Sequence, residues 1–261
     1  MKEAPAYVPG HQLLAGKSVL ITAAAGAGIG FAAARKCAEE GCRALMISDI
    51  HPRRLEEAVA KLKADTGLQN VWGQLCNVTN EEEVQALVAA AEDKLGGVDV
   101  LINNAGLGGE KRVTEMTDEE WSRVLDITLT GTFRMTRAML PHMEKRGRGA
   151  IVNNASVLGW RAQKGQAHYA AAKAGVMALT RCSAVEAAEH GVRINAVSPS
   201  IALHEFLKKA SSEELLAQLA SREAFGRAAE VWEVANVMVF LASDYASYMT
   251  GEVLSVSSQH A

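Results

Sequence analysis

The sequence predicts a doubly wound α/β fold, a single domain with about seven parallel strands and helices on both faces. Three observations carry this expectation. Short apolar runs rich in Val, Ile and Leu alternate with helical patterns at intervals of roughly thirty to forty residues, as a buried parallel sheet with crossover helices requires. A glycine-rich turn, Ala23 to Gly30, follows the first run, and an acid, Asp49, ends the second. With 261 residues, 49% of them apolar, the chain can bury a core of ordinary size.

Charge narrows the partners. The net charge is −3, and neither sign runs on far enough to make a nucleic-acid face or an acidic tail, so a small-molecule partner is expected and no nucleic acid. Cys37, Cys42, Cys76 and Cys182 form no C-x-x-C pair and are read as small core residues. With no apolar leader after a basic start, this points to a reduced, cytoplasmic setting. Ser18 to Ala34 is seventeen residues without a charge, but Gly26, Gly28 and Gly30 interrupt it, so it reads as strand, turn and helix, and no membrane span is expected.

Residues 1–15 read as an N-terminal arm and 16–261 as the domain. Val19 to Thr22 is the first strand. Gly26, Gly28 and Gly30 then let backbone N–H groups approach a pyrophosphate at the positive end of a helix from about Ile29 to Glu40. The second strand, Ala44 to Ser48, ends at Asp49, nineteen residues past Gly30. A carboxylate there accepts hydrogen bonds from both adenosine ribose hydroxyls and repels a 2′-phosphate, which favours NAD over NADP. Arg53 or Arg54 folding back would welcome that phosphate instead.

A helix is expected from Arg53 to Ala64 and a strand from Val71 to Cys76. Thr79-x-x-Glu82 reads as a capping box for a helix to Lys94, followed by the strand Val98–Ile102. Asn103-Asn104-Ala105-Gly106 comes next, where asparagines can tie neighbouring strands and a small Ala-Gly pair lets the backbone lie against a ligand. Thr117-x-x-Glu120 caps one long helix to about Met143, whose apolar Trp121, Val124, Leu125, Ile127 and Leu129 suggest subunit packing as well as core. Ile151-Val152 is the fifth strand and Val192–Val197 the sixth, broken at Pro199-Ser200. Residues 201–222 read as a polar, helical lid. A helix from Val231 to Leu241 and the strand Val253–Val256 complete the sheet.

The chemistry is expected between Ser156 and Lys173. Tyr169 and Lys173 lie four apart in an alanine-rich helical run ending near His190, so both leave one helical face. An ammonium a few ångströms from a phenol favours the phenolate and lowers its pKa. Ser156, beyond the fifth strand, offers a hydroxyl to a carbonyl or alcohol oxygen.

Taken in order, Gly26 to Gly30, Asp49, Asn103 to Gly106, Ser156 thirteen before Tyr169, Tyr169 with Lys173, and Pro199 resemble the motifs of the short-chain dehydrogenase/reductase family over about Gly16 to Ser258. The resemblance implies a Rossmann fold, a homotetramer built on two long helices, and a nicotinamide dinucleotide. The dinucleotide would lie on Ala24, Gly26, Gly28, Ile29, Gly30, Asp49, Asn77, Val78, Asn104, Ala105, Gly106, Tyr169, Lys173, Pro199 and Ile201. It further implies that Tyr169 is the acid/base, that Ser156 orients the substrate oxygen, and that Lys173 binds the nicotinamide ribose and lowers the tyrosine pKa.

The chain departs from the family at several positions. Thr128 stands where an asparagine commonly helps hold a water chain from Lys173, and so takes that place in the catalytic set. Asn77 replaces an aspartate that meets the adenine amino group, Ser200 replaces a glycine, and His204 a threonine near the cofactor amide. These departures, Asn153 to Gln163 and the tail Ser255 to His260 resemble a bacterial branch acting on steroid rings C and D. That likeness implies a bicyclic, ring-hydroxylated carboxyl-CoA thioester exchanged with its ketone, with Trp160 packing on the ring and Arg161 or His204 meeting a polar group. Two alternatives stand beside it: an NADPH-dependent 3-oxoacyl carrier-protein reductase, and a module that senses cofactor without turnover.

Overall fold

The charge-free runs become strands because β-branched side chains fill both sides of a pleated, doubly covered sheet. The computed structural model describes residues 3–203 and 213–258. The strands are β1 (Ser18–Ile21), β2 (Ala44–Asp49), β3 (Val71–Leu75), β4 (Val100–Asn103), β5 (Gly149–Asn154), β6 (Val192–Pro199), β7 (Ala202–Leu203), β8 (Ala229–Glu230) and β9 (Val253–Val256). Seven of them form one sheet in the order β3-β2-β1-β4-β5-β6-β9 with every pair parallel, and β7 pairs with β8 apart from it. The order reverses between β1 and β4, so the connections on either side diverge there and leave a crevice at the carboxyl ends.

The helices are α1 (Ile29–Glu39), α2 (Pro52–Thr66), α3 (Glu81–Leu95), α4 (Asp118–Leu125), α5 (Gly131–Arg146), α6 (Ala167–Ala188), α7 (Glu213–Ser221) and α8 (Val231–Ala242). Two buried clusters fill the two faces. One joins β1 and β2 to Ala33 and Cys37 of α1, Leu62 of α2 and Met238 of α8; the other joins the sheet to Leu87 of α3, Met139 of α5 and Ala187 of α6. Three cysteines are buried as expected, but Cys182 is exposed on α6, and all four are free thiols. Among the described residues no helix is long and apolar enough to cross a membrane.

Three local expectations change. The cap of α3 is Asn80, whose Oδ1 accepts from Glu82 N at 2.9 Å and Glu83 N at 3.3 Å. Thr79 stands one residue before that cap and turns its amide and hydroxyl back to Asn77 Oδ1, at 3.1 and 2.9 Å. The Thr117–Glu120 capping box forms, yet the long helix it opens contains a wide π turn, Asp126–Thr130, between α4 and α5. Such turns are rare in helices and concentrate at functional sites. The stretch 201–222 holds β7 and α7 rather than one helix, and the part 204–212, with His204, lies outside the described residues, as does the tail beyond Ser258.

Residues 7–14 strap α1. Lys36 and Glu40 form an ion pair at 3.1 Å with side chains 3% and 2% exposed. The strap completes it: Lys36 Nζ donates to Val8 O at 2.7 Å, and Glu40 Oε2 accepts from His11 N at 2.7 Å and Leu13 N at 3.1 Å. Tyr7 sets its ring edge-on to Trp232 of α8, 5.4 Å between centroids. Gly10 has no room for a side chain, since a Cβ would stand 2.1 Å from Glu39 O.

Burial pushes the Glu40 carboxyl up, but the two amides and Lys36 outweigh it and hold the group below its ordinary value. Its contribution to stability is therefore complete above the ordinary carboxylate range and is lost as pH falls through the depressed value. Lys36→Met should cost about 3 kcal/mol in urea unfolding at neutral pH, because it strands a buried carboxylate. Glu40→Gln should differ most from the parent near neutrality and converge on it in acid. Equal stability of Lys36→Met and the parent would show that the pair contributes nothing.

Candidate active site

The glycine loop offers a bare backbone at the crevice. Ala23 is left-handed at φ 51° and Gly26 lies at φ 147°, so the chain turns sharply after β1. At Gly30 a Cβ would fall 2.4 Å from Asn104 Nδ2 and 2.6 Å from Ala23 O, so only glycine lets α1 sit this close. At Gly26 and Gly28 a Cβ would meet nothing within 4 Å, and Gly28 caps α1 with no side chain. The first-turn N–H groups thus face open space at the positive end of a helix, an arrangement that fits a pyrophosphate. Ala24 is buried beside this loop and Ile29 half-buried at the helix start.

Asp49 ends β2 beside the loop, with Oδ2 accepting from Ala25 N at 3.3 Å and Oδ1 from His51 N at 3.1 Å. Burial raises its carboxyl pKa, and the Ala25 amide and Arg54 oppose the rise. Arg53 is paired instead with Glu57 at 2.8 Å on the surface. Asn77 is exposed nearby, its amide oxygen already engaged by Thr79, and Val78 is buried against Gly131. Across the crevice, Thr22 Oγ1 accepts from Asn104 N at 3.0 Å and Ala105 N at 3.1 Å, drawing the end of β4 onto β1. Pro199 ends β6, and Ile201 O accepts from Ala229 N at 2.9 Å.

Lys173 is 3% exposed, and its Nζ donates to the main-chain oxygen of Asn154. The Tyr169 ring centroid is 5.6 Å from that Nζ, and the phenol is hydrogen-bonded to Ser156. Ser156 Oγ also accepts from Leu158 N at 3.2 Å, capping the short turn Val157–Gly159. The structure thus gathers Ser156, Tyr169 and Lys173 at the carboxyl ends of β4 and β5. The electrostatics correct the expectation that lysine lowers the tyrosine pKa: burial raises the phenol, with the Ser156 bond opposing, and burial pushes the Lys173 ammonium down to about 8.

Thr128 is buried and stands close to Lys173 across Gly106, but its hydroxyl accepts from Leu107 N at 3.0 Å and donates to Leu107 O at 3.3 Å. Trp160 is 51% exposed, and the Arg161 amide donates to Val157 O at 2.9 Å. Asn154 was not singled out from the sequence. Its Nδ2 donates to Asn104 Oδ1 at 3.0 Å while its carbonyl takes Lys173, so it joins the glycine-loop side of the crevice to α6. The signal for it is the doublet Asn153-Asn154, which repeats Asn103-Asn104 one strand over.

The chain matches the family profile described as enoyl-(acyl carrier protein) reductase over residues 23–258. It is 61% identical over 258 residues, 98% of each chain, to (5R,7aS)-5-hydroxy-7a-methyl-1-oxo-2,3,5,6,7,7a-hexahydro-1H-indene-carboxyl-CoA reductase of Mycobacterium tuberculosis. It is 39% identical to a 3-oxoacyl-(acyl-carrier-protein) reductase of Vibrio cholerae, over 94% of this chain and 97% of that one. Among solved structures, a short chain dehydrogenase from Mycobacterium smegmatis superposes with a TM-score of 0.89 at 58% identity, covering 100% of this chain and 99% of the other. Levodione reductase superposes with a TM-score of 0.89 at 33% identity, covering 94% and 97%. The chain belongs to the short-chain dehydrogenase/reductase family.

Proposed function

We propose that this protein interconverts a secondary alcohol and a ketone with NAD, acting on a bicyclic, steroid-derived carboxyl-CoA thioester. The observation that carries the chemistry is the Tyr169 phenol bonded to Ser156 with the buried Lys173 beside it. The relative that acts on an indene-carboxyl-CoA, at 61% identity, supports the substrate class. The domain is taken as 16–261 behind the 1–15 arm. Exposed Phe133 on α5 and Val185 on α6 support assembly through those helices.

When bound, a nicotinamide supplies the hydride acceptor or donor. The protein handles the proton. In reduction Tyr169 donates its proton to the carbonyl oxygen while Ser156 holds that oxygen by a hydrogen bond. Lys173, buried with no carboxylate partner described, offers its remaining N–H donors toward the nicotinamide-side sugar. The glycine loop and the first turn of α1 take the pyrophosphate. Asp49 has lone pairs free on both oxygens for two ribose hydroxyls and repels a 2′-phosphate.

Tyr169 is held as a phenol at neutral pH, the form that gives a proton in reduction. A second reading, an NADPH-linked 3-oxoacyl carrier-protein reductase, is favoured by the Vibrio cholerae relative and by Arg54 lying close enough to act on Asp49.

The deciding measurement is absorbance at the nicotinamide band with a bicyclic ketone CoA thioester and with a straight-chain 3-oxoacyl thioester. Faster turnover of the straight chain would overturn the substrate assignment. Tyr169→Phe should lose about a thousandfold in turnover, the scale of a positioned general acid, while NADH binding holds within about twofold; survival of turnover would refute the mechanism. NADH should bind more tightly than NADPH, and Asp49→Ala should gain about tenfold for NADPH by removing a repelling charge. Reduction should slow as pH rises through about 8, where Lys173 loses its proton. A rate level to pH 10 would remove the ammonium from the mechanism.

A further inference from the structure

The segment after β4 lies against the catalytic helix and is fastened at two points. Leu107 N donates to Thr128 Oγ1 at 3.0 Å, and that hydroxyl donates back to Leu107 O at 3.3 Å. Farther along, Lys111 N donates to Gly165 O at 2.9 Å. From Gly106 to Gly109 the backbone runs beside α6, about one side-chain atom away from it. A Cβ at Gly106 would start 3.4 Å from Lys173 Nζ, one at Gly108 would be 3.9 Å from the Tyr169 ring, and one at Gly109 would be 3.4 Å from His168 Nε2. The run Gly106-Leu107-Gly108-Gly109 is bare where it meets the helix, and the half-buried Leu107 is the side chain it presents.

Thr128 sits in the middle of the π turn with no exposed surface, and its own carbonyl accepts from Thr132 Oγ1 at 2.8 Å. A hydroxyl has one proton to give. Here that proton goes to Leu107 O, so the group is directed at the wall and not at Lys173.

We propose that Thr128 is a positioning residue: its hydroxyl clasps both backbone groups of Leu107 and so seats segment 106–111 as the substrate wall over Tyr169 and Lys173. This deepens the oxidoreductase reading and rests on it for what the wall contacts, whereas the clasp itself belongs to the free chain. Thr128→Val keeps the shape and removes the hydroxyl. Thr128→Ser keeps the hydroxyl.

Two measurements test the proposal: hydrogen–deuterium exchange over 106–111 in the free protein, and steady-state kinetics at saturating nucleotide. In Thr128→Val the Leu107 amide should exchange about tenfold faster, since its acceptor is gone. Substrate KM should rise about tenfold with kcat within about threefold, the split expected when ground-state and transition-state binding fall together. Thr128→Ser should behave as the parent in all three, and Thr128→Ala serves in place of the valine variant should that fail to fold. Unchanged exchange in the hydroxyl-free variant, a hundredfold fall in kcat at constant KM, or failure of serine to restore both would each overturn the clasp. If the parent reduced neither thioester, the oxidoreductase reading would fall while the exchange comparison still decided this one.

Discussion

Four amide side chains at the carboxyl ends of β4 and β5 hold the site together. Asn103 Nδ2 donates to Asn153 Oδ1 at 2.9 Å, and Asn153 Nδ2 to Thr180 Oγ1 of α6 at 2.9 Å, on the face that carries α6. On the opposite face Asn154 Nδ2 donates to Asn104 Oδ1, and Asn104 Nδ2 to Ala23 O of the glycine loop at 2.9 Å. Successive residues of a strand point to opposite faces, so two doublets on adjacent strands build two separate ladders. Because Asn104 gives its NH₂ to the loop, only its oxygen is left for Asn154, and the orientation of the second amide follows. The loop, the strand ends and the lysine are thereby placed relative to one another by short, directional bonds.

The ladder from Asn103 through Asn153 to Thr180 is buried, whereas the one from Asn154 through Asn104 to Ala23 comes up to the rim of the crevice. Burial disfavours the charged form of both groups: it pushes the Lys173 ammonium, whose acceptor is a neutral carbonyl, down to about 8 and raises the Tyr169 phenol. A carboxylate on Lys173 would have secured the charge and tied up more of its donors. Contrast the Lys36–Glu40 pair, equally buried, in which each charge is answered by the other and by strap backbone. One lysine is structural because all its partners are in the chain, and the other is left with donors to offer.

The π turn links the fold to the site. A regular helix from Asp118 to Arg146 would carry Thr128 on another bearing, whereas the widened turn brings it to Leu107. Gly131, just past the turn, leaves room for Val78, whose Cγ2 would stand 2.7 Å from a Cβ there. The same few residues thus set the wall over α6 and the floor near Val78.

The sequence by itself determined the parallel sheet, the glycine loop with Asp49, the asparagine pair after β4, and the set Ser156, Tyr169 and Lys173. These are local or periodic properties: charge-free β-branched runs, glycines where a backbone must come close, and two residues one helical turn apart. Tertiary structure decided the rest. Thr128 was engaged by Leu107 and Asn154 was brought between Asn104 and Lys173, since each depends on which donor meets which acceptor across elements distant in the chain. The pKa directions of Tyr169 and Lys173 were decided there too, because desolvation is set by everything packed around a group and spacing along a helix does not report it.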